Sequence, residues 1–167
     1  MVRLPLLLSL SCLGTALALV GGRALLARQP ALTPATATDR LEWLQHWEAD
    51  PWRRREASLL LAARSNEPQE QRQWLRGQGW GPDPLAALVL KQDALAAAAL
   101  DRPETAQALW RQLQRRFPGD PASADALYAL AGDDPAKRRQ LLQRFPAHPA
   151  ALAAALGAGP EAAERRR

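Results

Sequence analysis

P-E-T-A-Q-A-L-W-R-Q-L-Q-R-R-F-P-G-D-P-A-S-A-D-A-L-Y-A-L-A, residues 103–131, holds a helix, a stop and a second helix. Ala106, Leu109, Trp110, Leu113 and Phe117 fall at i, i+3, i+4, i+7 and i+11, the spacing of one apolar stripe on an α-helix. Pro118 forces that helix to end at Phe117, because the residue before a proline is driven out of the α region. Gly119 supplies a turn, and Asp120-Pro121 supplies an N-cap with proline in the first helical position. The second helix then turns Ala124, Leu127, Tyr128 and Ala131 to one face. The stretch therefore predicts two short helices folded together along an Ala/Leu/aromatic seam.

The unit recurs. At an offset of 28, Gln112, Leu113, Arg116, Phe117, Pro118, Pro121 and Ala122 meet Gln140, Leu141, Arg144, Phe145, Pro146, Pro149 and Ala150. Upstream, Asp50-Pro51 and Asp83-Pro84 repeat the Asp120-Pro121 start. Units then open at Pro51, Pro84, Pro121 and Pro149, with spacings of 33, 37 and 28 residues. These bracket the roughly 34 residues of a tetratricopeptide unit. His148 stands where the other units have aspartate and is read as a helix-start residue. The expected helices are 39–49, 51–64, 67–76, 84–100, 103–116, 121–131, 135–144 and 149–156, with Thr38 capping the first. Leu109, Trp110, Leu113, Phe117, Leu127, Tyr128, Leu141, Leu142 and Phe145 are expected to form one continuous core. The helix carrying Leu85, Leu88, Val89, Ala96 and Leu100 is the most apolar and should lie centrally.

The 167 residues are 47% hydrophobic and 23% charged, a globular balance. Alanine and leucine dominate and β-branched residues are scarce, which argues against strands. The formal charge is +5, mostly from arginine. A basic balance suits nucleic acid, a membrane surface or an anionic polymer, but acids interleave and no cluster chooses among them. Met1-Val2-Arg3 precedes an uncharged run of 19 residues, 4–22, laid out like a secretory signal. Ala16-Leu17-Ala18 offers a cleavage site, yet the run is close to the ~20 residues needed to span a bilayer, so residues 1–22 are either a cleaved signal or a membrane anchor. Cys12 is the single cysteine, so no internal disulfide can form. Residues 23–38 read as a Pro/Thr/Ala linker, 39–156 as the helical repeat domain and 157–167 as a polar tail.

Six of the nine aromatic residues are tryptophan. Trp43, Trp47, Trp52, Trp74 and Trp110 are expected in the core. Trp80, in G-Q-G-W-G-P-D-P at 77–84, is expected to tuck between units, the alternative being an exposed indole on which a sugar stacks. Trp52, Trp80, Arg53, Arg54 and Arg55 are the candidate contacts for a ligand or partner. His46 and His148 are far apart in sequence and have no ligand-spaced neighbours, so no metal or cofactor is expected. No nucleophile elbow, phosphate loop or H-E-x-x-H occurs, and no glutamate falls in a run that would hold a buried proton donor, so no catalytic residue is expected.

The run Leu109-Trp110 to Phe117-Pro118, followed by Ala122 and Ala126-Leu127-Tyr128, resembles tetratricopeptide-like units. With the leader, G-Q-G-W-G-P-D-P-L-A-A and the repeated R-F-P, residues 39–156 resemble the N-terminal superhelical region of soluble lytic murein transglycosylases. In that family an α-superhelix embraces a lysozyme-like domain that cleaves peptidoglycan with a glutamate, usually in a Glu-Ser pair. This chain has no Glu-Ser pair, so no catalytic position carries over. The resemblance implies an all-α fold of antiparallel helix pairs in a short right-handed superhelix. It also implies a non-catalytic scaffold, exported to the periplasm or anchored facing it, whose partner is peptidoglycan or an envelope protein domain. The chain is then a truncated piece of such an enzyme or a stand-alone scaffold. A tetratricopeptide-like adaptor for a protein partner is the alternative, and export weighs against nucleic acid.

Overall fold

A computed structural model describes residues 31–156. The leader, Cys12, the first part of the linker and the tail lie outside the described residues. The chain divides after Thr33, and every helix described belongs to the unit that begins at Pro34. Among the described residues there are eight helices, α1 (Thr38–Trp47), α2 (Pro51–Arg64), α3 (Pro68–Leu75), α4 (Pro84–Ala99), α5 (Pro103–Arg116), α6 (Ala122–Ala131), α7 (Pro135–Arg144) and α8 (Pro149–Ala155). No strand occurs among the described residues, and none of their helices is long and apolar enough to cross a membrane. The expected boundaries hold to within two residues.

Proline and aspartate set those boundaries. Asp50 accepts from the Trp52 N–H, Asp83 from Ala86, Asp120 from Ala122, and Asp134 from both Ala136 and Lys137. His148 does the same through Nδ1, accepting from the Ala150 N–H at 3.2 Å. Each cap satisfies an N–H that the first helical turn leaves without a partner. Thr38 is not a cap. It is the first residue of α1, and its hydroxyl accepts from Arg64 Nη1 at 2.9 Å. Arg64 also donates to the Pro34 and Thr36 carbonyls, so the end of the expected linker is tied to α2.

Each helix packs against the next, as short connections dictate. The even helices also touch one another, α2 with α4, α4 with α6 and α6 with α8, whereas the odd helices make extensive contact only with their chain neighbours. The result is two rows. The row in mutual contact consists of the helices that open the units read at Pro51, Pro84, Pro121 and Pro149. α4 is central, packing on α2, α3, α5 and α6. Val89 and Ala96 of the expected set are buried, but the buried face is wider than that set: Ala86, Ala87, Leu90, Ala94 and Ala97 also go inside while Leu88 stays exposed. Small alanines let four neighbours approach one helix, and a leucine stripe alone would have served only one.

The expected single core is two. Leu90, Ala94, Trp110, Leu113 and Ala126 centre one cluster, with Leu109 and Phe117 against it; Leu127, Leu141, Ala151 and Ala154 centre another, with Tyr128 and Phe145 against it. The division runs through α6, whose opposite sides serve the two clusters. Leu142 joins neither and is 38% exposed, because Leu141 beside it takes the inward direction.

Candidate functional site

The 77–83 loop joins α3 to α4 and is the most heavily braced irregular segment described. Gly77 at φ +76° and Gly81 at φ +140° take left-handed conformations that glycine reaches without a Cβ penalty. A Cβ on Gly81 would collide with the Arg55 guanidinium. That guanidinium fills the space under the loop. Arg55 Nε donates to the Gln78 carbonyl at 3.0 Å, Nη1 to Asp83 Oδ2 at 2.6 Å and Nη2 to the Trp80 carbonyl. Asp83 meanwhile caps α4 through its other oxygen, so one carboxylate joins helix start to loop.

A second arginine holds the loop from the other side. Arg116, the last residue of α5, donates to the Gly79 carbonyl at 2.5 Å and to the Gly81 carbonyl at 2.7 Å. Its guanidinium carbon lies 5.2 Å from the Trp80 ring centre and 5.1 Å from that of Phe117, within cation–π range. Trp80 is therefore not tucked between units. It is 69% exposed, because Arg55 occupies the space beneath it and the glycines turn the chain outward.

The other tryptophans divide. Trp110 is buried and Trp74 half-buried, as expected. Trp43, Trp47 and Trp52 are exposed, against the core reading. The extensive packing of α1 is with α2 alone, and Leu41 and Leu44 supply its buried face, which leaves Trp43 and Trp47 outside. Trp52 sits in the first turn of α2, ahead of its buried residues, which begin at Arg55.

Of the candidate contacts, the structure brings Arg55 to Trp80 and leaves Trp52 one turn from Arg55 at the same end of α2. Arg55 is buried and engaged by the loop, so its contribution there is the pose of Trp80. Arg53 and Arg54 are half-buried, and Arg53 Nε lies 3.8 Å from Glu48 Oε2. Arg116 was missed by sequence reasoning. Its signal was present in the repeated R-F-P, since Arg144, its equivalent, also lies over its own Phe145 and donates to the carbonyl of Pro118 in the loop between α5 and α6.

The arrangement offers a planar, exposed indole flanked by a fixed cation. It offers no assembled acid–base pair. Asp134 is held below the ordinary carboxylate value by the Ala136 and Lys137 N–H groups, the reverse of what a proton donor needs. Among the described residues no group of three or more His, Cys, Asp or Glu could hold a metal ion. In comparisons with known proteins, the chain matches no family model, no curated protein and no solved structure.

Proposed function

We propose that this chain is a non-catalytic helical repeat scaffold of the cell envelope, tetratricopeptide-like and comparable to the superhelical arm of a lytic murein transglycosylase, that is exported and docks on peptidoglycan. The observation that carries the reading is Trp80, exposed on a loop that Arg55 and Arg116 hold rigid. A stacking plane costs little entropy when it is fixed before the ligand arrives, and an indole face suits the apolar face of a sugar ring. Arg116 beside it suits the carboxylates of an anionic glycan polymer. The even-row packing of α2, α4, α6 and α8 supports a repeat array.

The test is retention of the full chain on purified sacculi, with turbidity followed alongside. Retention without clearing is expected, and Trp80→Ala should weaken it about tenfold, the loss of one aromatic contact. Clearing of the suspension would reveal an active site. Absence of retention at low salt would favour the adaptor reading, in which the partner is a protein.

A further inference from the structure

The odd helices leave a groove between each successive pair, and two neighbouring grooves share one chemistry. Between α5 and α7, a groove of about 460 Å³ is walled by Gln107, Arg111 and Gln114 on one side and by Lys137 and Gln140 on the other, with α6 as its floor. Between α3 and the start of α5, one of about 330 Å³ carries Arg76 and Arg102 beside the Arg72–Asp93 ion pair. The two are linked along α5: Arg102, the residue just before its first turn, reaches the second groove, and Gln107, Arg111 and Gln114 farther along it wall the first. The groove between α1 and α3 is of opposite character, with Glu42, Glu67 and Glu70 in its lining.

The basic groups of the α3–α7 grooves are underused within the protein. Among the described residues, Arg76, Arg102 and Arg111 have no carboxylate partner, and Arg111 donates from Nη2 to Gln107 Oε1 at 3.0 Å. Lys137 is shared with Asp134 at 3.6 Å and with the Leu130 carbonyl. Gln114 Nε2 is shielded from solvent and has no hydrogen-bond partner, a donor whose desolvation is uncompensated.

We propose that these two grooves form one track for an extended acidic peptide segment of a partner protein. Its carboxylates face Arg76, Arg102 and Arg111, and its main chain faces the glutamines. A primary amide both donates and accepts, so Gln107, Gln114 and Gln140 match the alternating N–H and C=O of an extended chain, while guanidinium–carboxylate contacts are the strong, charge-assisted kind. The lining of both grooves lacks aromatic residues. That favours a peptide over a single-stranded nucleic acid or a glycan, which need planes on which bases or sugar rings stack. The site lies on the odd-helix row and shares no residue with the Trp80 loop, so it stands or falls apart from glycan binding there.

The test uses the full chain and a fluorescein-labelled peptide of alternating Glu and Ser, about 12 residues and roughly 40 Å when extended, read by fluorescence anisotropy at low salt. Saturable binding is expected. Arg111→Glu, at an exposed position, should weaken it by about tenfold or more. Gln114→Leu should weaken it without changing net charge, and Arg40→Glu on α1 should leave it unchanged, with circular dichroism verifying equal helicity. A Lys/Ser peptide of equal length should fail to bind. The proposal is overturned by absent saturation, by equal weakening in Arg40→Glu and Arg111→Glu, or by tighter binding of a single-stranded oligonucleotide of matching charge.

Discussion

Arg55 divides one guanidinium among a carboxylate and two carbonyls, all belonging to the loop that carries Trp80. Its side chain is 8% exposed and that of Asp83 19%, so removing it leaves a half-buried carboxylate without its charged partner and two loop carbonyls without their donor. Loss of one partner of a largely desolvated pair is the costly case, and Arg55→Ala should lower stability by about 2 kcal/mol in a denaturant titration. Arg55→Lys should recover only part of that, since an ammonium cannot reproduce the planar fork. Gly81→Ala attacks the same contact from the other side. It places a Cβ against Arg55 at a φ that side chains rarely adopt, at a cost of about 1–3 kcal/mol. Both Arg55→Ala and Gly81→Ala should also reduce retention on sacculi with the indole itself intact, because they alter its pose. Full retention in either would show that the bracing is irrelevant to binding.

At the scale of elements, each helix start is a replaceable part. His148 caps α8 as aspartate caps α2, α4 and α7, but an imidazole accepting through Nδ1 brings no negative charge, which a helix N-terminus favours. His148→Asp should therefore raise stability by roughly 0.5–1 kcal/mol, seen as a higher Tm; a lower Tm would mean the Phe145–His148 ring contact outweighs the cap. Asp134 gives a pH signature. Its folded pKa is depressed by the two backbone N–H groups it accepts from, so its contribution to stability is present above the ordinary carboxylate value and is lost as pH falls through the folded one. Acidification should thus release the Ala136 amide and fray the start of α7, followed by amide chemical shifts against pH, with Asp134→Ala showing no such step. The Arg116 and Arg144 contacts work between elements. Each arginine ends an odd helix, lies over the phenylalanine that follows it and holds a carbonyl of the loop that ends the previous odd helix.

Over the whole molecule, stability should be graded, as in arrays whose units touch only their neighbours. α4 packs on four helices and contributes to the cluster around Trp110 and Leu113, whereas α7 packs on α6 and α8 alone. Native-state hydrogen exchange should find amides of α4 and α5 protected at least about tenfold more than those of α7 and α8. Uniform protection would instead mean that α6 couples the two clusters into one cooperative unit.

Periodicity, Asp-Pro starts and R-F-P stops by themselves determined eight helices and their unit openings, since caps and proline act within a few residues and need no tertiary partner. Only the tertiary structure decided which residues face inward: Leu141 and not Leu142, Leu90 and not Leu88, Trp110 and not Trp43 or Trp47. Periodicity identifies an apolar stripe, but how many neighbours a helix acquires sets how much of its circumference is buried, and that is non-local information. Trp80 is the sharpest instance. Its glycine-rich setting was legible as an irregular loop, while its exposure depended on two arginines, 25 residues before it and 36 after it, reaching the same short segment.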